Sequence, residues 1–180
     1  MMYHIGMPSS ARAFTLIELL VTVSVIAVLT GFMVPGFTNY LDSQNTKQGK
    51  EQIKNDLRTI QNKAINGAGA ATGILYWGVR FDDNAPRYSF FTSPANDWST
   101  CSNPPISETS TQLPSAVVVR NGPLCVFFSF SNGGVTFVKS GGFSNQIITI
   151  GKTSASVCEG VEVNTAGLIK GVALQPCELN

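Results

Sequence analysis

The sequence predicts an α+β chain, with one long N-terminal helix packed on a small antiparallel β-sandwich. Three observations predict it. Residues 19–37 contain no charged side chain, and apolar residues at helical spacing continue well beyond them. After residue 70 the pattern changes to short strands separated by turn residues. All four cysteines, Cys101, Cys125, Cys158 and Cys177, fall in that strand-rich half, as suits an exported domain fastened by disulfides.

The charge-free run comes first. As a helix, residues 19–37 reach roughly 28 Å at about 1.5 Å per residue, close to a hydrocarbon core of about 30 Å. The run therefore reads as a membrane segment. Thr22, Ser24 and Thr30 lie within it, and their hydroxyls can bond back to carbonyls of their own helix. A secretory signal peptide would have a shorter apolar core followed by a small-residue cleavage site. Here the small residues, Ala11-Arg12-Ala13, come before the run.

Beyond Pro35-Gly36 the chain continues with Tyr40-Leu41 and then Ile53, Leu57, Ile60 and Ala64 at helical spacing. Lys and Arg at positions 47, 50, 54, 58 and 63 decorate the other faces. Asn66-Gly67-Ala68-Gly69 is a helix stop. The expectation is one helix of about fifty residues by this spacing, half in lipid and half amphipathic. Pro35 would kink or locally melt it, because proline lacks a backbone donor.

Glu18 is out of place in this pattern. A carboxylate within a membrane helix costs about 2.5–3.5 kcal/mol even on the gentler scales. It either sits at the interface or finds a positive partner in an assembled state.

The stretch Phe14-Thr15-Leu16-Ile17-Glu18-Leu19 resembles the N-terminus of the type IV pilins and type II secretion pseudopilins, whose precursors carry a class III signal peptide. In that family a short polar leader is cut just before a hydrophobic residue, usually Phe. The new amino group is then N-methylated, and a Glu stands four residues further on. The resemblance implies cleavage between Ala13 and Phe14, N-methylation of Phe14, and an assembly role for Glu18. Gly31 and Pro35 stand where a helix-breaking Gly and Pro are typical of the family. One departure is plain: the family usually has Gly before the cut, and this chain has Ala13, the next smallest residue. Met1, Met2 and Met7 are all possible starts of the leader. Arg12 favours keeping the leader in the cytoplasm.

The implied organisation is a leader at 1–13, a transmembrane and filament-core helix at 14–37, its amphipathic continuation at 38–68, and an extracytoplasmic β-rich domain at 69–180. Before assembly the subunit would lie in the cytoplasmic membrane as a single-pass protein with its C-terminal domain outside. Afterwards it would sit in a periplasmic or extracellular filament. The implied partners are other pilin subunits, the prepilin peptidase, the inner-membrane assembly platform, and membrane lipid before assembly. In a staggered bundle of helices the Phe14 amine of one subunit could reach Glu18 of a neighbour, and this pairing would set register.

In the exported domain, strands are expected at 73–81, 87–91, 116–120, 125–130, 134–139, 146–151, 160–164 and 168–174. Asp82-Asp83-Asn84-Ala85-Pro86 joins the first pair, and Asn132-Gly133-Gly134 and Thr165-Ala166-Gly167 make two more turns. Residues 93–115, rich in Ser, Thr, Pro and Asn, read as a long surface loop. Four cysteines allow three pairings. Cys158 and Cys177 bracket the last hairpin, which leaves Cys101 with Cys125. Buried free thiols are the alternative. The helix end at 56–65 and the stretches 147–150 and 161–168 are similar to the GspH/FimT-like minor pseudopilins, which carry a two-sheet β domain.

Composition narrows the function. Charged residues make up 13% and the formal net charge is +1, so there is no basic excess of the kind broad nucleic-acid binders show. The single histidine, His4, lies in the expected leader. A Ser-His-Asp or Cys-His catalytic set is therefore not expected in the mature chain, nor is a zinc site. Asp82-Asp83-Asn84 could offer oxygen ligands to calcium but reads as a hairpin turn. No catalytic residue, cofactor or metal is assigned. The other functional class is a DNA-binding minor pilin acting in DNA uptake. Some FimT-like proteins bind DNA through a basic C-terminal patch. Residues 166–180 here contain one lysine, Lys170, and one glutamate, Glu178, so nucleic acid is disfavoured. Pilus, secretion pseudopilus and competence filament all remain open.

Overall fold

Apolar residues at spacings of four, three and four place Ile53, Leu57, Ile60 and Ala64 on one face of a helix. In the computed structural model all four side chains are buried in the main core. The structure describes residues 14–68, 73–103, 106–139, 147–152 and 158–174. Helix α1 runs Leu16–Ile65, fifty residues, as the spacing predicts. The chain divides into two compact units, one ending at Tyr40 and one beginning at Leu41. The amphipathic stretch of α1 thus belongs to the same unit as the strands, because its buried stripe forms part of their core.

Among the described residues nine strands follow, in two antiparallel sheets. The five-stranded sheet has the order β3-β2-β1-β5-β6, from β1 (Tyr76–Phe81), β2 (Arg87–Ser93), β3 (Ile106–Gln112), β5 (Leu124–Ser129) and β6 (Val135–Lys139). The four-stranded sheet has the order β4-β7-β8-β9, from β4 (Val117–Val119), β7 (Ile147–Lys152), β8 (Cys158–Val163) and β9 (Ile169–Leu174). Alternate residues of β1 and β5, among them Val79, Phe81, Leu124 and Val126, enter the core shared with α1. Val119, Ile148, Ile150 and Val161 enter it from the other sheet. The α+β class, with helix packed on antiparallel sheets, is as expected. The β5–β6 hairpin turns at Gly133, whose φ of 66° lies in the left-handed region that glycine enters at no steric cost.

The expected loop at 93–115 is the main correction. It contains a short helix, α2 (Trp98–Ser102), and the edge strand β3. The Asp97 carboxylate caps α2 by accepting from the Thr100 N–H at 2.8 Å, and this holds its carboxyl below the usual range. Strand β3 reads Ile-Ser-Glu-Thr-Ser-Thr-Gln. It has no apolar alternation, yet it pairs with β2 from Arg87↔Gln112 to Thr92↔Ile106. The region of α2 covers the outer face of the five-stranded sheet. There Phe91, Phe127, Cys101 and Cys125 form a second buried cluster with Tyr76, Trp98 and Val138 against it. The Phe91 ring lies directly on Gly78, where any Cβ would collide with it. A disulfide joins Cys101 to Cys125 across this cluster, with Cα atoms 5.9 Å apart. Cys158 is also disulfide-bonded; its expected partner Cys177 lies outside the described residues.

The two flanks of α1 each serve one sheet. On one, Lys50 pairs with Glu159 of β8 at 2.8 Å. Arg58 donates to the Ile169 carbonyl at 3.1 Å, and Gln61 to the Gly167 carbonyl at 3.0 Å. On the other flank, Gln52 donates to the Gln112 carbonyl at 2.9 Å, and the Tyr88 hydroxyl donates to Asp56. Lys63 lies over the Trp77 ring, 4.8 Å from its centroid.

Two stability predictions follow from this packing. Leu57→Ala, at a position 1% exposed, should lower stability by about 2–5 kcal/mol in a denaturant melt. Burial, then the bond to Asp56, raises the Tyr88 pKa above the ordinary value of about 10. The hydroxyl's contribution is therefore complete below that pH and is lost as pH climbs toward the raised value. Tyr88→Phe should cost about 1.5–3 kcal/mol at neutral pH, as for a hydrogen bond to a charged group. The gap to wild type should shrink above about pH 10; a gap constant to pH 11 would refute this account.

Candidate processing and assembly segment

In the unit ending at Tyr40 the helix begins at Leu16. Thr15 opens its helix: its carbonyl accepts the Leu19 N–H at 3.2 Å and its hydroxyl accepts the Glu18 N–H at 3.3 Å. Thr15 is therefore the N-cap, and Glu18 is the third helical residue. A Thr followed three residues later by Glu is the pattern of a capping box, in which the N-cap side chain satisfies an otherwise orphaned donor of the first turn. A carboxylate in this first turn also meets the positive end of the helix dipole. Among the described residues no ion pair reaches the Glu18 carboxylate. Phe14 lies outside the helix and is 79% exposed. Ala13, on the other side of the expected cut, lies outside the described residues.

Along the following turns the helix is apolar on every side. Leu16, Ile17, Leu19 and Leu20 are each more than half exposed, and so are Val25, Ile26, Val28 and Leu29. Such consecutive positions point around the full circumference, so no core-facing stripe exists. The hydroxyls within the run spend their donors internally, as expected: Thr22 on the Leu19 carbonyl at 2.8 Å, Ser24 on Leu20 at 2.8 Å, and Thr30 on Ile26 at 2.7 Å. The surface is thus apolar in fact as well as in composition. Exposed apolar area of this extent marks a surface made to be covered.

Gly31 is helical, with open space where a Cβ would stand. Pro35 lies four residues on, so the amide that would bond to the Gly31 carbonyl is missing. The helix is not ended there. Among the described residues no single helix is long and apolar enough to cross a membrane, although the pieces Leu16–Phe32 and Phe37–Ile65 meet that criterion together.

At the expected calcium alternative, Arg80 holds Asp82 at 2.7 Å and the Asn84 amide donates to Asp83 at 2.9 Å. Those oxygens fasten the β1–β2 turn. Among the described residues no group of three His, Cys, Asp or Glu side chains could hold a metal.

Residues 8–34 match the prokaryotic N-terminal methylation motif. The motif supports a type IV pilin or pseudopilin-type subunit, made as a membrane-anchored precursor, processed by prepilin peptidase and assembled with other pilin subunits. No curated protein and no solved structure matches the chain. Sequence reading singles out Phe14 and Glu18 but passes over Thr15, although the Thr-x-x-Glu spacing before an apolar run is there to be seen.

A charge placed in the apolar run tests whether lipid covers it. Val25→Arg should raise the insertion cost by about 2.5–3.5 kcal/mol. The chain should then shift from the carbonate-resistant membrane fraction into the soluble one, whereas an unchanged distribution would argue against a membrane-embedded run.

Proposed function

We infer that this chain is a structural subunit, a minor pilin or pseudopilin, of a type IV pilus-like or type II secretion filament. Its precursor is cut between Ala13 and Phe14 and methylated on the new Phe14 amine. The observation that carries this reading is an exposed, wholly apolar helix with one carboxylate, Glu18, in its first turn. Lipid can cover the apolar surface of a single subunit. It cannot satisfy the carboxylate, whose burial costs several kcal/mol when unpaired. A staggered neighbour supplies what lipid lacks, because its Phe14 amine can lie beside Glu18. Association then favours one stagger over others, and a buried ion pair sets register. Gly31 and Pro35 supply a break through which the helix can adapt its backbone as it passes from lipid to bundle. The resemblance to GspH/FimT-like proteins favours a minor subunit.

The alternative, DNA uptake by a DNA-binding pilin, needs unpaired cations. Lys170 pairs with Glu162 at 3.0 Å and Lys152 with Asp42 at 2.6 Å, so neither is free for phosphate.

The test uses cells that assemble the filament. Mass spectrometry of the mature chain should find N-methyl-phenylalanine at Phe14. Glu18→Leu should still be cut and inserted, but its content in sheared filaments should fall at least tenfold, the effect of losing more than about 1.4 kcal/mol. Normal incorporation of Glu18→Leu would remove the ion pair from the account.

A further inference from the structure

At one end of the β-rich unit the hydrophobic core comes to the surface. Helix α1 stops there at Ile65, and β1 starts one residue after Leu75. The β5–β6 and β8–β9 turns meet them. A Cβ on Gly133 would collide with the Ile65 side chain, and one on Gly167 would lie 3.5 Å from the Gly133 carbonyl oxygen. The Phe130 amide donates to the Leu75 carbonyl at 3.0 Å, and the Val135 amide to the Thr165 carbonyl at 3.4 Å. Ile65, Leu75 and Leu168 are 55%, 55% and 59% exposed. Phe130 packs against the core without being fully buried. Among the described residues the unit exposes only one other large apolar side chain, Leu41. Single apolar residues scattered over a surface need no explanation, but a cluster marks a contact.

The same end is free of charge. Residues 64–68, 73–77, 129–135 and 163–168 include no Asp, Glu, Lys or Arg. Such a surface offers nothing to phosphate or to an anionic headgroup, whereas depletion of charge marks the core of protein interfaces. Its size limits the kind of partner. Three side chains little more than half exposed offer on the order of 150 Å² of apolar area, while a stable complex hides about 800 Å² on each partner. The patch is too small to draw two free subunits together. It is sufficient as one contact among several, between subunits already gathered by their helices, because that gathering raises the effective concentration of one unit beside the next. We propose that this charge-free apolar end docks on a neighbouring subunit of the same filament, so that Ile65, Leu75 and Leu168 become buried only on assembly. The proposal rests on the reading that the chain is a filament subunit.

The experiment places photoreactive benzoyl-phenylalanine at position 168 of the full-length chain, in cells that assemble the filament. Irradiation of sheared filaments should give an adduct that mass spectrometry identifies as two pilin-type subunits joined through residue 168. Irradiation after the filaments are dissolved into subunits in detergent should give none. A second arm combines Leu75→Lys with Leu168→Lys. In detergent the purified double variant should melt within about 4 °C of wild type, as surface substitutions do. Its content in sheared filaments should fall about tenfold, the scale of a lost interface anchor. Leu75→Met with Leu168→Met keeps the surface apolar and should stay within about twofold of wild type on that scale. Normal incorporation of the lysine variant would overturn the proposal. So would filaments that contain the chain and yield no adduct, or an adduct only with lipid or with a protein that is not a filament subunit. Should the lysines unfold the chain, the adduct alone decides. A wild-type chain that never enters filaments would instead overturn the filament reading, and this proposal with it.

Discussion

Helix α1 has to satisfy two different surroundings along its length, and the rest of the chain is organised by that constraint. Up to Phe32 its side chains are apolar on all sides and exposed in the isolated subunit. From Ile53 to Ala64 a single stripe is apolar and fully buried, flanked by residues that bond to strands. A helix apolar all round needs lipid or other helices as its solvent, while a one-striped helix needs a globular core. The β domain supplies that core. The core between α1 and the two sheets buries Phe81 and Phe128 completely, and the second cluster, under α2, does the same for Phe91 and Phe127.

The fastening between helix and sheets is polar as well as apolar. Gln52, Arg58 and Gln61 donate to backbone carbonyls at Gln112, Ile169 and Gly167. These carbonyls sit at an edge strand's end, on an edge strand and in a hairpin turn, where strand pairing does not consume every acceptor. Each bond is modest, about 1 kcal/mol. Together they fix the rotation of α1 about its axis, because a turn of one residue would move the whole set off its partners by about 100°. The burial stripe alone would leave that rotation looser.

Much of this was legible in the sequence, and the exceptions have physical causes. The change of apolar period located the helix and most strands, and glycine-containing turns located two of the hairpins. Strand β3 was missed because it is a polar edge strand: Ser and Thr alternate along it, and its place is set by backbone bonds to β2. The helix α2 was missed because five residues carry too little periodicity to read; its stability comes from Asp97, the Cys101–Cys125 bridge, and Arg80, which donates to the Cys101 and Ser102 carbonyls. In the processing segment Glu18 stood out because charge in an apolar run is conspicuous. Thr15 did not, since a polar residue at the start of a helix attracts no notice until its hydroxyl is seen to hold an amide.

The cations on α1 bear on what the domain is for. Five lie between positions 47 and 63, on the faces of the helix away from its apolar stripe. In the fold, four of the five are engaged within the chain. Lys50 meets Glu159, Lys54 meets Glu51, Arg58 meets a carbonyl and Lys63 meets an indole ring. Lys50 and Lys54 already face carboxylates, which leaves less uncompensated charge there for the counterion release that drives polyanion binding. The stripe therefore reads as fastening of the helix to the sheets of its own unit, through Glu159, the Ile169 carbonyl and the Trp77 ring.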